Sequence, residues 1–199
     1  MSDNPFSPSP ISKSTTSPDA QSSLTGPQIA VIALVAGTSL ILRLMPHEAN
    51  FATMLTLAVF CGTTIRRPWA MLIPLGVRFI TDASLGFYSS LVFDYCAYVI
   101  AFSIGVGLGK PTYVRGFIGT FASIVLFFLV SNFGVWFMGT TGDDSPRTLG
   151  SLLATYELGL PFVRPTVSGN IMAIPVFFGL WHIVGALETP AARVQPNEG

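Results

Sequence analysis

Apolar residues dominate six windows of the chain, and most charged residues lie at the ends of these windows or between them. The pattern predicts six helices, over residues 28–42, 51–65, 69–81, 89–108, 113–138 and 167–187. The last window contains no Asp, Glu, Lys or Arg. Pro74 and Arg78 interrupt the third window, and the second and third windows are short. These two helices could therefore cross a membrane fully or form a hairpin that crosses it only partly.

The composition places these helices in a lipid bilayer. Hydrophobic residues make up 50% of the 199 residues and charged residues only 10%, with a mean hydropathy of +0.61. A soluble domain carries about 25% charged residues, because its surface faces water. The chain is therefore predicted to be all-α, an integral membrane bundle of about six transmembrane helices. Its net charge of zero gives no reason to expect a nucleic-acid partner.

The two ends of the chain differ in composition from the middle. Residues 1–26 are rich in Ser, Thr and Pro and have few large apolar side chains, which predicts a disordered tail. Lys13 is their only basic residue and a long apolar run follows, so they are not expected to be a cleaved secretory signal. The helical domain is placed at 27–189, and 190–199 form a short polar tail.

The basic residues predict the orientation, because Lys and Arg near helix ends are enriched on the cytoplasmic side. A cytoplasmic N terminus places six of them inside: Lys13, Arg66, Arg67, Lys110, Arg115 and Arg193. Four then lie outside: Arg43, Arg78, Arg147 and Arg164. The inner loops after helices 2 and 4 are short and basic without any acid. We therefore predict a multi-pass protein of the cytoplasmic (inner) membrane with both termini cytoplasmic.

This topology gathers strongly polar side chains near the outer face. Six residues form the predicted small-molecule site: Arg43, Arg78, Asp82, Asp94, Asn132 and Trp136. Arg78 and Asp82 are four residues apart, so they share one helical face and can form an ion pair. Charges at membrane depth usually face a bundle interior or a water-filled cavity. The pattern therefore predicts a binding pocket that opens outward.

Each of these residues also has a structural interpretation. Arg43 and Trp136 could anchor helices at the membrane surface, since a long side chain reaches the headgroups and Trp favours that region. The ion pair on helix 3 could serve only to stabilise the bundle. Asp94 and Asn132 are too short to reach the headgroups easily, which favours a functional role. His182 lies toward the other end of helix 6 and is interpreted as an interfacial or packed side chain.

The segment between helices 5 and 6 contains a further helical pattern. Ser145 and Pro146 resemble a helix start, with the serine as N-cap and the proline at the first helical position. Apolar residues then recur at helical spacing: Leu149, Leu152, Leu153, Tyr156 and Leu160. Pro161 and Pro165 are expected to end this helix. The pattern predicts an amphipathic helix at the outer face, which either packs on the bundle or covers the pocket as a lid.

Motifs for catalysis or cofactor binding do not occur in the sequence. It has no Cys-x-x-Cys, no paired histidines at metal-binding spacing and no P-loop, so no enzyme activity, cofactor or metal site is predicted. Gly105, Gly107 and Gly109 resemble a dinucleotide loop only superficially, because they end an apolar helix and follow no strand. Close helix packing explains them better. Cys61 and Cys96 lie in apolar windows at different predicted depths, which argues against a disulfide.

Several short segments resemble an uncharacterised bacterial family of multi-pass membrane proteins, a domain of unknown function. The similarity covers about residues 40–180, and its most specific string is Asn132-Phe-Gly-Val-Trp136. The other matching segments are Arg43-Leu-Met-Pro-His, Asn50-Phe51, Thr81-Asp82, Leu85-Gly-Phe-Tyr88, Pro146-Arg-Thr148 and Leu152-Leu-Ala-Thr-Tyr156. That family is similar in architecture to the S components of energy-coupling-factor (ECF) transporters, six-helix proteins that capture vitamins or metal ions in an outward site. Arg78 and Asp94 belong to no part of this resemblance.

The resemblance also implies a partner. S components dock a transmembrane energising module, which has separate ATPase subunits, through small residues of helix 1, commonly two alanines four positions apart. Ala33 and Gly37 hold the corresponding positions, with glycine replacing the second alanine. The chain is thus expected to be the capture component of an ECF-type transporter for an unidentified small molecule. A structural or scaffolding protein is the alternative, and an intramembrane enzyme using Asp82, Asp94 or His182 is disfavoured because no nucleophile is matched to a base.

Overall fold

The computed structural model describes residues 24–45, 51–139 and 147–188, and all regular structure in these residues is helical. Seven α-helices follow one another: α1 Gly26–Leu44, α2 Met54–Thr64, α3 Leu72–Leu85, α4 Leu91–Leu108, α5 Tyr113–Met138, α6 Leu149–Gly159 and α7 Val163–Glu188. Short 3-10 helices precede two of them: Pro68–Met71 before α3 and Leu160–Phe162 before α7. The predicted all-α fold class is confirmed.

Four helical segments in the described part of the chain are long and apolar enough to cross a membrane. They are α1, α4, α5 and the continuous stretch Leu149–Glu188 that contains α6 and α7. The apolar helix α2 has only 11 residues, which at 1.5 Å per residue is about 16 Å, roughly half the hydrocarbon core of a bilayer. Helix lengths therefore favour the interpretation in which α2 and α3 cross only partly.

The short helix α2 forms the centre of the bundle. Every residue from Met54 to Thr63 is buried, and α2 packs on α1, α3, α4, α5 and α7. The Phe60 ring makes edge-to-face contacts with Phe177, Phe178 and Trp181 of α7, with ring centroids 5.4–5.9 Å apart. A helix that is apolar on all sides is expected in such a central position.

Two glycines let α2 and α4 come into close contact. A Cβ added at Gly62 would lie 2.3 Å from the carbonyl oxygen of Phe102, and one added at Gly105 would lie 2.4 Å from that of Val59. Neither position has room for a side chain, so Gly105 does serve close helix packing. Gly109 has a different role, because it ends α4 with a φ of +80°, which glycine adopts readily.

Two helices with a proline in the first turn have bounds that differ from those predicted. The third helix continues to Leu85, beyond the predicted end at Thr81, and contains Pro74. The last helix begins at Val163, four residues before the predicted start, and contains Pro165. Both prolines are third residues of their helices, where the backbone N–H has no intrahelical partner, so its loss costs little.

The first helix is longer than predicted. It begins at Gly26, with Thr25 as N-cap, and the Thr25 side chain accepts a hydrogen bond from the Gln28 backbone N–H. Gln28 Nε2 also donates to Glu188 Oε2 at 3.3 Å, which joins the start of α1 to the end of α7. Residues 1–23 and 189–199, which hold most of the two predicted tails, lie outside the described residues. The starts of α2 and α4, at 54 and 91, fall a few residues after those predicted.

The predicted amphipathic helix is present as α6, but its cap differs from the prediction. Thr148 is the N-cap: its Oγ1 accepts from the Ser151 backbone N–H at 3.2 Å, and Ser151 Oγ accepts from the Thr148 backbone N–H at 3.1 Å. Ser145 and Pro146 lie outside the described residues. The helix therefore starts later than the sequence pattern suggested.

The leucine stripe of α6 faces away from the bundle. Three of its leucines are exposed: Leu149, Leu153 and Leu160. Thr155 and Gly159 face the bundle and are buried. The helix α6 ends at Gly159, just before Pro161, as predicted. The chain then continues through the 3-10 helix into α7, which contains Pro165 near its start. The exposed leucines form a surface that lipid can cover.

Candidate functional site

Four charged side chains from three helices meet at one end of the bundle. We call them the charged cluster: Arg43 of α1, Arg78 and Asp82 of α3, and Asp94 of α4. The side chains of Arg78, Asp82 and Asp94 are 3%, 2% and 10% exposed, and that of Arg43 is 15% exposed. Two arginines offset two aspartates, so the cluster has no net charge. The structure thus brings together four of the six predicted site residues.

Asp82 joins the two arginines. Its Oδ1 accepts a hydrogen bond from Arg43 Nη2 at 3.1 Å, and its Oδ2 accepts one from Arg78 Nε at 2.8 Å. Tyr95 OH of α4 also donates to Asp82 Oδ2, at 3.2 Å, and Arg43 Nε donates to Thr81 Oγ1 at 2.9 Å. The carboxylate is therefore held by α1, α3 and α4, and its pair with Arg78 has the predicted four-residue spacing.

Arg78 lies at the centre of the cluster. Its Nη2 donates to Asp94 Oδ2 at 3.1 Å and to Tyr88 OH. Its guanidinium lies over the Tyr98 ring, 5.5 Å from the centroid, with Nη1 3.5 Å from the Tyr98 hydroxyl. With Nε on Asp82, every nitrogen of the guanidinium has a partner. A buried arginine needs such partners, because an unpaired charge in this environment costs several kcal/mol.

Tyr88 lies in the loop between α3 and α4 and completes the cluster. Its hydroxyl donates to Asp94 Oδ2. Burial of the phenol and the nearby negative charge of Asp94 raise the pKa of Tyr88 well above its usual range, and the positive charge of Arg78 opposes them. The phenol therefore stays protonated at physiological pH and remains a donor to the carboxylate.

Three tyrosines of this site were not predicted from the sequence: Tyr88, Tyr95 and Tyr98. A signal was present for Tyr98, which follows Asp94 by four residues and so shares its helical face. Tyr88 lies in a segment that supported the family resemblance. Tyrosine is common near the ends of membrane helices, so its presence alone does not distinguish a site residue from an interfacial one.

A cavity of about 320 Å³ adjoins the charged cluster, between α4, α5, α6 and α7; we call it the large cavity. Its walls include three phenylalanines: Phe127, Phe128 and Phe162. Polar side chains also line it: Tyr88, Ser90, Asp94, Ser131, Asn132, Thr155 and Thr166. Among the described residues, Asp94 is the one charged residue that lines it. This size and mixed lining are typical of small-molecule sites.

A second cavity of about 210 Å³, the small cavity, contacts the charged cluster directly. Arg43 and Arg78 line it, together with Met54 and Leu55 at the start of α2. Four side chains line both cavities: Tyr88, Asp94, Phe127 and Thr166. The two cavities therefore adjoin, and together they extend from aromatic walls to the charged cluster.

Two charged groups at the cavities keep free hydrogen-bonding capacity. Within the described ranges, Asp94 accepts through Oδ2 only and Arg43 donates through Nε and Nη2 only. Thr120 Oγ1 is the one fully buried side-chain polar atom without a partner in the same ranges. Asp94 Oδ1 and Arg43 Nη1 are therefore accessible, and a bound molecule could contact both.

Of the other predicted site residues, Asn132 lies at the large cavity and Trp136 does not. Asn132 Nδ2 donates to the Phe128 carbonyl oxygen at 2.8 Å within α5. Gly159 of α6 packs against this amide, since a Cβ there would lie 2.3 Å from Asn132 Oδ1. Trp136 Nε1 donates to Ser151 Oγ at 3.0 Å, so Trp136 attaches α6 to α5 and lines neither cavity.

Of the predicted site residues Asp82, Asp94 and Asn132, which were expected to line one cavity, two do so. Asp94 and Asn132 both line the large cavity. Asp82 is among the lining residues of neither cavity and lies behind the two arginines that line the small one. Its carboxylate is instead occupied by hydrogen bonds from Arg43, Arg78 and Tyr95.

Asn170 of α7 lines the small cavity and was not selected from the sequence. It is buried; its Oδ1 accepts from the Thr56 backbone N–H at 3.0 Å, and its Nδ2 donates to the Thr166 carbonyl oxygen at 2.9 Å. Thr56 Oγ1 donates to the Asn170 carbonyl oxygen at 2.8 Å. Thr53, the N-cap of α2, makes no side-chain cap bond. Asn170 thus caps α2 from another helix. The sequence held one indication of such a role, because Asn170 is a strongly polar residue in a window without charged residues.

The proposed docking pair lies on the open side of α1. Ala33 is exposed, and a Cβ added at Gly37 would have nothing within 4 Å. At the end of the bundle away from the cluster, His182 is exposed and its ring lies 5.2 Å from that of Tyr113. Cys61 is buried and Cys96 exposed, and both thiols are free, as predicted.

Comparison with known proteins identifies a family without assigning a function. No curated protein matches the chain significantly, and no solved structure does so. The model of DUF6580, a family of unknown function, matches residues 23–192. This region contains every described helix and the whole charged cluster. The chain therefore belongs to the DUF6580 family.

Proposed function

We propose that the protein captures a small molecule in the large and small cavities and serves as the substrate-binding component of an ECF-type uptake system. The main support is the position of Asp94, which lines both cavities and keeps Oδ1 accessible. Aromatic walls beside a few polar groups are the usual composition of a ligand site. The proposed role is binding without chemical conversion of the ligand.

In the proposed orientation the protein spans the cytoplasmic (inner) membrane, the charged cluster lies at the outer face and both termini lie in the cytoplasm. Arg66 follows α2, Lys110 follows α4 and Arg115 lies in the first turn of α5. All three are at the end of the bundle opposite the cluster, where the positive-inside rule favours the cytoplasm. An outward site would receive a ligand before it crosses the membrane.

The helix α6 is proposed to act as a lid over the large cavity. Thr155, Leu158 and Gly159 of this helix line the cavity. Tyr156 OH donates to the Leu129 carbonyl oxygen at 2.9 Å, and the bond from Trp136 to Ser151 forms the second attachment to α5. Within the described residues, these two side-chain hydrogen bonds attach α6 to α5 beside the contact of the Tyr156 and Phe128 rings, and such bonds can break and reform as a ligand enters.

The proposed partner is a transmembrane energising module with separate ATPase subunits, which would dock at Ala33 and Gly37. A Cβ added at Gly37 has nothing within 4 Å, so Gly37→Ile should leave the fold intact while blocking the docking surface. Gly107→Ile is the matched control, because Gly107 is also helical and open. Co-purification of the module with the wild type and the control, but not with Gly37→Ile, is expected; equal recovery with both variants would count against this surface.

Capture itself is tested by what the purified protein carries. The purified protein is first desalted and then denatured. Denaturation should release one small molecule in near-stoichiometric amount, which mass spectrometry detects. Ser131→Trp fills the large cavity and should abolish that signal, whereas Ser103→Trp on the exposed side of α4 should preserve it. A molecule retained equally by both variants would show that it binds elsewhere.

The scaffold alternative has support of its own from the charged cluster. Arg78 and Asp82 are almost completely paired within the protein, as expected of groups that only stabilise a bundle. A scaffold would carry no small molecule and would show no thermal stabilisation by any compound in a metabolite panel. A single purification therefore distinguishes a capture component, which carries a small molecule, from a scaffold, which does not.

A further inference from the structure

We propose that the captured molecule is a zwitterion of the amino-acid type, with its ammonium group on Asp94, its carboxylate on Arg43 and an apolar or aromatic side chain in the large cavity. This inference rests on the proposed function and specifies the ligand class. It is carried by one acid and one base that line adjoining cavities, each with a hydrogen-bonding position that no residue of the described ranges occupies.

The charge of the cluster favours a ligand without net charge. Arg43 and Arg78 offset Asp82 and Asp94, so a bound cation or anion would leave one uncompensated charge at membrane depth. A zwitterion adds one charge of each sign and keeps the site neutral. It also makes a charge-assisted hydrogen bond at each end, which a neutral polar molecule cannot do.

The cationic end of the ligand is assigned to Asp94. Its Oδ2 is occupied by Arg78 and Tyr88, and its Oδ1 is accessible. An ammonium group at Oδ1 would lie close to the rings of Tyr88 and Phe127, which line both cavities with Asp94. Aromatic faces attract cations in water-poor sites, so these rings support the same assignment.

The anionic end of the ligand is assigned to the small cavity. Arg43 lines this cavity, and among the described residues its Nη1 has no partner, since the other two nitrogens bind Asp82 and Thr81. Met54 and Leu55, the first two residues of α2, line the same cavity. The positive end of the α2 dipole therefore acts in the same direction as the arginine.

The remaining volume suits an apolar side chain. The large cavity, at about 320 Å³, exceeds what an ammonium group needs, and Phe127, Phe128 and Phe162 line it. Apolar surface buried against such walls contributes about 25 cal/mol per Å². Large apolar amino acids such as phenylalanine, leucine and methionine are therefore the expected ligands.

The first test uses the wild-type protein, freed of any carried molecule, with L-phenylalanine, L-leucine, L-methionine, 2-phenylethylamine and 3-phenylpropionate. The last two lack the carboxylate and the ammonium group of phenylalanine, respectively. Isothermal titration should show that at least one amino acid binds, and that phenylalanine binds at least about 10-fold more tightly than either analogue, since a charge-assisted hydrogen bond contributes about 1.5–3 kcal/mol. Equal binding of phenylalanine and 2-phenylethylamine would overturn the proposal in favour of a simple organic cation.

The second test assigns the two ends. Asp94→Asn should weaken the binding of phenylalanine and of 2-phenylethylamine and leave the binding of 3-phenylpropionate unchanged. Arg43→Gln should weaken the binding of phenylalanine and of 3-phenylpropionate only. Arg115→Gln, at the other end of the bundle, is the charge-matched control. If no amino acid binds and a different class of molecule is released from the purified protein, this inference is wrong and the proposed function stands. If nothing is released and nothing binds, both are wrong.

Discussion

The side-chain oxygen of Asn170 lies 3.0 Å from the backbone nitrogen of Thr56, and this bond connects α7 to the start of a helix that is buried from Met54 to Thr63. A buried N–H without an acceptor is costly, because no water replaces the lost bond. The Thr53 side chain makes no cap bond to α2, and its hydroxyl donates to Ser39 Oγ at 2.8 Å. The central helix therefore depends on α7 for its N-terminal cap.

Replacing Asn170 with leucine should destabilise the bundle by about 1–3 kcal/mol, the cost of leaving a buried donor unsatisfied. Ser168→Ala on the same helix is the control, because Ser168 Oγ donates only to the Pro165 carbonyl oxygen within α7. Thermal unfolding in detergent measures both. Equal losses in the two variants would show that Asn170 does not cap α2.

Asp82→Asn should be among the most destabilising substitutions in the cluster. It removes the carboxylate that both Arg43 and Arg78 contact, and breaking a buried ion pair from one side costs about 3–5 kcal/mol. Tyr95→Phe removes one hydrogen bond to the same carboxylate and should cost about 0.5–1.5 kcal/mol. Unfolding by SDS in mixed micelles compares them, and a Tyr95→Phe effect as large as that of Asp82→Asn would contradict the bridging role.

Two glycines on one helix should respond oppositely to alanine. Gly105→Ala places a Cβ about 2.4 Å from the carbonyl oxygen of Val59, so α2 and α4 must separate and the melting temperature should fall. Gly107 is open, and Gly107→Ala should stabilise by up to about 1 kcal/mol because alanine favours the helix. A melting temperature unchanged by Gly105→Ala would mean that the two helices are not in contact there.

Single-cysteine variants test the proposed orientation, in a background with Cys61 and Cys96 replaced by alanine. Cysteines at Ser2 and Asn197 should react with a membrane-impermeant maleimide only after the cells are permeabilised. A cysteine at Glu157, which is exposed on α6, should react in intact cells. The reverse labelling pattern would place the charged cluster on the cytoplasmic side.

The helices themselves were predictable, since each depends on residues close in sequence. Helix α5 has the predicted bounds of 113 and 138, and the ion pair of Arg78 with Asp82 follows from four-residue spacing on one helix. The start of α7 was predicted four residues too late, because Pro165 in its first turn breaks the sequence pattern without breaking the helix.

The composition of the site was decided by the tertiary structure. Which polar side chains share a cavity depends on how helices rotate and how closely they approach, and contacts such as Gly62 with Phe102 set that approach. Trp136, predicted at the pocket, instead binds Ser151, while Asn170 reaches across to Thr56. The sequence alone determined the number and order of the helices, because backbone hydrogen bonds and apolar windows are local. Contacts between helices distant in sequence determined the site, and no local pattern encodes their rotation.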